Sequence, residues 1–379
     1  MTEIHGFCRD DFTTVRDRFA EHFDQGLERG ASVAVTLHGE PVVDLWAGAA
    51  DDAGTSWERD SVTNVWSTTK TMAALCMLML ADRGELDLDA PVAAYWPEFA
   101  ANGKERVTTA QVLGHTAGVA GWDPAIAPVD LYDWDKATRV LAEGPLWWEP
   151  GTRSGYHALT QGFLEGEILR RITGRTIGTW FRDEVAEPLG ADFHIGLPED
   201  HDHRFAPIVP PDAGIAEVDG IDPDSLPIRI LASCPVNGSE PNTRAWRAAE
   251  IPAAGGIGNA RAVGRIHSAI ACGGEVDGVR LLSEEGVGRI FVEQHHDVDA
   301  VLGMKMRLGT GFGLINEMIP LSPNERACFW GGWGGSIAVI DVDAGLTVSY
   351  VMNKMAGRLV GDLRGAMLVM AAYQSLAEQ

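Results

Sequence analysis

Cysteine is scarce and unpatterned in this 379-residue chain: Cys8, Cys76, Cys234, Cys272 and Cys328 are odd in number and nowhere spaced as Cys-x-x-Cys. That excludes a disulfide framework and a closed zinc site of the usual spacing, and reduced thiols are expected. Positive charge is thin as well, with 30 Lys and Arg against 54 Asp and Glu and a net charge of -24. A field of that sign repels phosphate backbones and anionic bilayers, so neither nucleic acid nor a membrane is expected as a partner. Long apolar runs are missing too: residues 72–81 form the longest, far short of the roughly 18 needed to cross a bilayer, and read as a core helix. Residues 1–12 alternate polar and apolar types without a basic stretch leading into an apolar one. No secretory leader is expected, and the protein reads as cytoplasmic.

What is present is a chain that is 45% hydrophobic and 22% charged, enough for one large unit or two packed domains. Val15, Phe19, Phe23 and Leu27, four apart, predict an amphipathic helix over residues 13–28 as the first element. β-Branched runs at 32–37 and 42–46 around His38-Gly39-Glu40-Pro41 predict a hairpin. Runs at 336–341 and 346–352 around Asp343-Ala344-Gly345 predict another, followed by a closing helix over 360–377. Antiparallel strands near both ends need partners and a cover. The expected fold is therefore α/β, a mainly antiparallel sheet flanked by helices, built from residues 1–75 and 195–379. Between them, helical periodicity at 110–113, 135–142 and 158–172, the last stopped by Gly174, predicts an all-α insertion domain over residues 76–194. Residues 195–250, rich in Pro, Asp and Gly, predict long surface loops.

Chemistry is first suggested by Ser67-Thr68-Thr69-Lys70, which leads into the apolar run. On a helix, Lys70 lies one turn beyond Ser67 on the same face, so its amine reaches the hydroxyl while the helix N-terminus favours developing negative charge. Desolvation lowers a lysine pKa from about 10.4 toward neutrality and turns it into a base that activates the serine. The plain alternative is a Ser67 or Thr68 helix cap with Lys70 in solvent. Two further stretches shift that balance. Gly151 to Ala158 is a glycine-bounded loop able to present the Tyr156 phenol. Trp330-Gly331-Gly332-Trp333-Gly334-Gly335-Ser336 leads into a strand, where bare backbone lets a ligand approach and leaves amides free to donate.

In this order and spacing, these motifs resemble the serine β-lactamase and penicillin-binding protein superfamily, most of all the family VIII carboxylesterases. Val107 to Gly118, with its His115-Thr116-Ala117-Gly118 turn, and Ala254-Gly255-Gly256-Ile257-Gly258 extend the resemblance over most of residues 30–355. The resemblance implies a β-lactamase-like fold, Ser67 as acylated nucleophile, Lys70 and Tyr156 as shared general base and acid, and an oxyanion hole from the amides of Ser67 and Trp333. Two departures shape the substrate expectation. Trp330 stands where β-lactamases carry a cation, and Ala158 stands where their tyrosine motif ends in Asn, so a penicillin loses its carboxylate and side-chain partners.

Trp122, Trp134, Trp147 and Trp148 lie before Tyr156 and suggest an aromatic cleft wall. Trp330, Gly331, Gly332 and Trp148 are the expected substrate contacts. A neighbouring ammonium on Lys70 is expected to favour the Tyr156 phenolate. Gly334 to Ala338 lacks the second glycine of a hydrolase elbow, and Gly256 to Arg261 lacks the third of a dinucleotide fingerprint. His201-Asp202-His203 and His295-His296-Asp297 read as loop histidines without a third ligand at helical spacing, and His115 as structural. No cofactor or metal is expected. The sum is a serine hydrolase cleaving short or medium uncharged carboxylic esters, small-molecule substrates, through an acyl-serine intermediate. Acyl transfer or amide cleavage at the same site, weak β-lactamase or D-amino peptidase activity, and a non-catalytic binding protein are the alternatives.

Overall fold

A strand, not the anticipated helix, opens the computed structural model, which describes residues 2–211, 222 and 224–378. β1 (Ile4–Cys8) is an exposed edge strand antiparallel to β3 (Glu40–Gly48), which accounts for the alternation in the first dozen residues. α1 (Thr13–Asp24) buries Val15 and Phe19 but stops before Leu27, which is exposed. Gly26, at φ +68, turns the chain there, and the Leu27 N–H bonds back to the His22 carbonyl, a glycine-ended helix stop. β2 (Gly30–Leu37) meets β3 through His38 and Gly39, at φ +51 and +85, the conformation that matches strand twist in a two-residue turn.

After the two-residue strand β4 (Thr63–Asn64) come α2 (Thr69–Asp82), α3 (Thr109–Leu113), α4 (Trp134–Glu143), α5 (Thr160–Thr173), α6 (Ile177–Phe181) and α7 (Glu187–Leu189). Every α2 residue from Thr69 to Ala81 is buried, as a helix apolar on all sides requires. α3 starts on a capping box between Thr108 and Gln111. β5 (Phe193–Ile195), α8 (Leu226–Ala232), α9 (Arg244–Ala248), β6 (Gly256–Gly258) and α10 (Ala260–Ala271) follow. The stretch read as long loops thus holds, among its described residues, two short α-helices and two 3-10 helices, while residues 212–221 and 223 of it lie outside the described residues. The chain closes with β7 (Glu275–Val276), β8 (Val279–Arg280), α11 (Glu284–Ile290), β9 (His295–Val298), β10 (Lys305–Leu308), β11 (Gly313–Leu314), β12 (Ala327–Gly331), β13 (Ile337–Asp341), β14 (Leu346–Met352) and α12 (Leu363–Ala377).

Nine strands form one antiparallel sheet in the order β1-β3-β2-β14-β13-β12-β11-β10-β9. The N- and C-terminal hairpins meet at its centre, where β2 pairs with β14 from Ala31↔Met352 to Leu37↔Leu346. Helices cover both faces, so β14 is buried along its whole length. α1 and α12 pack together, and α10 lies across β2, β13 and β14. One buried apolar cluster runs through this sheet and on through α2, α5 and α6, so the helical segment and the sheet share a core. His295, His296 and Asp297 lie on edge strand β9 rather than in a loop, and His201 to His203 lie in a short 3-10 helix, where Asp202 pairs with Arg244 and Arg247. Among the described residues no cluster of three or more potential metal ligands occurs, and no helix is long and apolar enough to cross a membrane.

Candidate active site

Ser67 occupies a single 3-10 turn, Trp66–Thr68, that feeds directly into α2. Trp66 holds φ +48, a conformation that a bulky residue keeps only when its surroundings enforce it. Here Val65 N–H bonds to the Gly256 carbonyl, Thr69 Oγ1 donates to the Trp66 carbonyl at 2.5 Å, and the Trp66 ring packs 4.8 Å from Trp333 and 5.5 Å from Trp246. The Ser67 side chain caps nothing. Its Oγ receives the Tyr156 hydroxyl at 2.5 Å and Lys70 Nζ at 3.2 Å, which removes the plain helix-cap reading.

Lys70 is fully buried and donates also to the carbonyls of Ala158, at 2.6 Å, and Ala253, at 2.9 Å. Burial without a bonded carboxylate pulls its pKa down to about 7, and Glu165 on α5 only partly opposes the fall. Tyr156 is likewise fully buried, and burial raises its pKa, outweighing its hydrogen bond with Ser67. Burial works against the phenolate that a neighbouring ammonium would favour: loss of hydration penalises both charges, which keeps the phenol protonated near pH 7 and brings a large share of the amine to its neutral form there.

Tyr156 is placed by a residue that no sequence motif singles out. Asp299, 1% exposed, accepts from the backbone N–H groups of Tyr156 at 3.0 Å and of Val301 and Leu302 at 2.9 Å, and from the Ser154 hydroxyl at 2.8 Å. His157, on the other side, accepts from the Val119 N–H at 3.1 Å through Nε2, and its backbone N–H donates to His115 Nδ1. Both imidazoles are buried and held neutral by burial, His157 down to about 3, so His115 packs as a structural group against the Tyr156 ring.

The strand motif divides. Trp330 is 1% exposed and sits behind Tyr156, with ring centroids 5.7 Å from Tyr156 and 5.4 Å from His115. Trp148 packs against His157 and over Gly155. Neither borders the cavity in front of Ser67, nor do Gly331 and Gly332; Trp66 and Trp333 do. The expected wall residues are displaced because indoles at strand and loop positions were drawn into the core beneath the phenol. Gly332 instead serves close approach: a Cβ there would lie 2.3 Å from both the Val65 carbonyl and Ser336 Oγ. Ser336 in turn donates to Val65 O at 2.7 Å and bonds Thr68 Oγ1 at 2.9 Å, docking the strand on the serine turn. Among the described residues, the N–H groups of Ser67 and Trp333 have no protein acceptor.

The cavity holds about 540 Å³, and among the described residues none of the side chains lining it is charged. Leu159, Pro211, Ile228, Leu231, Val236 and Leu359 supply most of its apolar wall. The segment from α8 onward, read from sequence as surface loop, is thus a wall of the site; the apolar residues Leu226, Pro227, Ile228, Ile230, Leu231 and Ala232, interrupted by Arg229 alone, are the available signal.

A nine-stranded antiparallel sheet between helical layers, with a serine at the foot of a buried helix, is the β-lactamase-like class of fold. The chain belongs to the β-lactamase family, which matches residues 16–371. It is 36% identical over 380 residues to the esterase/β-lactamase LipL of Mycobacterium tuberculosis, spanning 94% of this chain and 84% of that protein. Among solved structures, a family VIII carboxylesterase matches with a TM-score of 0.92 at 43% identity, over 98% of this chain and 100% of the other. A penicillin-binding protein homologue from Caulobacter crescentus gives 0.92 at 39% identity, over 99% and 100%.

Proposed function

We propose that this protein is a carboxylesterase-type serine hydrolase that cleaves short or medium uncharged esters through an acyl-Ser67 intermediate. The observation that carries the reading is Ser67 Oγ held between Lys70 Nζ and the Tyr156 hydroxyl at the floor of an uncharged apolar cavity. Two carbonyls take the two N–H bonds of a neutral Lys70 amine, which leaves its lone pair for the Ser67 proton. As Oγ attacks the ester carbonyl, Lys70 gains that proton, and the carbonyl oxygen takes up negative charge facing the free amides of Ser67 and Trp333. Collapse expels the alkoxide, which takes the Tyr156 proton, and the Lys70 ammonium returns a proton to the phenolate. Water then repeats the sequence in reverse on the acyl-enzyme.

The same cavity argues against carboxylated β-lactams. Among the described residues its lining offers no cation to their carboxylate, and the net charge of -24 adds a repulsive field. The relatives named esterase support the ester reading, and five unpaired cysteines support a reducing, cytoplasmic setting. The test is labelling with a fluorophosphonate followed by mass spectrometry, beside hydrolysis of p-nitrophenyl butyrate. A single adduct on Ser67 and its loss in Ser67→Ala are the expected results. Labelling elsewhere, or none with the fold intact, would sink the proposal.

A further inference from the structure

The turn between β12 and β13 carries the Trp333 amide, and its conformation is held from behind. The Trp333 N–H shares a planar peptide with the Gly332 carbonyl, so whatever binds that carbonyl aims the N–H the opposite way. Gly332 O accepts from Gly335 N–H at 3.1 Å and Gly361 N–H at 3.3 Å. The next residue but one is gripped as well: Gly334 N–H donates to the Arg358 carbonyl at 2.9 Å, and Gly334 O accepts from Ala356 N–H at 2.8 Å and from Arg364 Nη2 at 2.7 Å. Gly334 and Gly335 stand at φ +92 and +133, a left-handed path that this grip holds in place.

Arg364 stands at the start of α12 on the opposite side of the turn from the cavity, 6% exposed. All five of its N–H donors are engaged. Nε and Nη2 bond Asp362 Oδ2 at 2.8 and 2.6 Å, Nη1 bonds Glu28 Oε2 at 3.0 Å and the Lys354 carbonyl at 2.9 Å, and the remaining Nη2 donor is the one on Gly334. Asp362 itself caps α12, and Tyr350 on β14 donates to Glu28. A guanidinium fixed on five sides is a rigid donor, unlike a surface arginine free to swing.

We infer that Arg364 is a positioning residue for ester hydrolysis: by clamping the Gly334 carbonyl it aims the Trp333 amide at the developing oxyanion. This rests on the hydrolase reading above. Arg364 touches no substrate, so its effect belongs to the transition state and not to ester binding.

The experiment compares wild type, Arg364→Gln and Arg364→Lys, each normalised to the number of Ser67 sites that react with a fluorophosphonate. Rates are measured on p-nitrophenyl butyrate, and affinity is measured for butylboronic acid, whose tetrahedral Ser67 adduct places a hydroxyl or oxyanion where the transition state does. For Arg364→Gln we expect kcat per reactive site to fall about 10- to 100-fold. The boronate Ki should rise by a similar factor, while KM stays within about twofold. Arg364→Lys, which keeps the charge and can still reach a carbonyl, should recover part of both and serves if the glutamine variant does not fold. An arginine that only stabilised the fold would lower the count of reactive sites and the Tm, leaving kcat per site and boronate affinity at wild-type values; that result overturns the proposal. Wild type that fails to label at Ser67 brings down the hydrolase reading itself, and this inference with it.

Discussion

At the scale of single residues, Lys70 joins two properties that pull apart. Its pKa falls from 10.5 to about 7 on folding, so the folded state binds fewer protons than the unfolded one between those values, and stability rises with pH across that window. Below pH 7 the full cost is present, on the order of 5 kcal/mol at 1.36 kcal/mol per unit. Lys70→Met is therefore expected to raise the Tm at pH 6–7 while abolishing ester hydrolysis; an unchanged or lower Tm in calorimetry would contradict it. On the mechanism proposed above, the same amine sets the rate profile. kcat/KM should decline as pH falls through about 7, with no matching basic limb below pH 10, because burial raises the Tyr156 pKa. Tyr156→Phe should keep the fold and lose most turnover, read as kcat on p-nitrophenyl butyrate. Near-normal kinetics would leave the phenol a packing role alone.

Between elements, the site depends on contacts with no local signal. Ser67, Lys70, Tyr156 and the glycine-rich strand start were legible because their chemistry needs particular residue types at short spacing, and the hairpins at 38–39 and 343–345 because turn geometry restricts sequence. Asp299 was not, since a lone carboxylate reveals nothing until its four donors converge from two loops. Trp330 was misjudged as a cavity wall because burial is decided by neighbours far off in the chain. Two predictions follow that difference. Asp299→Ala strips a buried carboxylate from four donors and should cost about 3 kcal/mol or more in stability and at least 10-fold in kcat. Asp299→Asn should retain most of both in the same urea melt and rate assay. Trp330→Lys, which would put a cation where β-lactamases carry one, would bury it between His115 and Tyr156. Loss of folded protein, not cephalosporin turnover, is the expected outcome by circular dichroism and nitrocefin assay.

For the molecule as a whole, charge and cavity point the same way. Hydrolysis of a carboxylated cephalosporin should be orders of magnitude slower than that of p-nitrophenyl butyrate by kcat/KM, and added salt should narrow the gap only slightly. Salt screens the long-range field, but it does not supply the missing local partner. Comparable rates at low salt would make the uncharged cavity irrelevant to selection.

The pairing of β2 with β14 bears on how the protein comes into being. The two strands at the middle of the sheet are separated in the chain by more than 300 residues, from Leu37 to Leu346. A ribosome that has made Ser67, Lys70 and Tyr156 has therefore not yet made the strand that β2 lies against. Until β14 emerges, the first hairpin presents an unpaired apolar edge. Maturation of the hydrolase then waits on the synthesis of β14, and its folding is governed by a seam of high contact order. Nascent chains stalled before residue 346 are expected to bind chaperones and to resist fluorophosphonate labelling, while chains released at full length acquire the reactive serine in one late step.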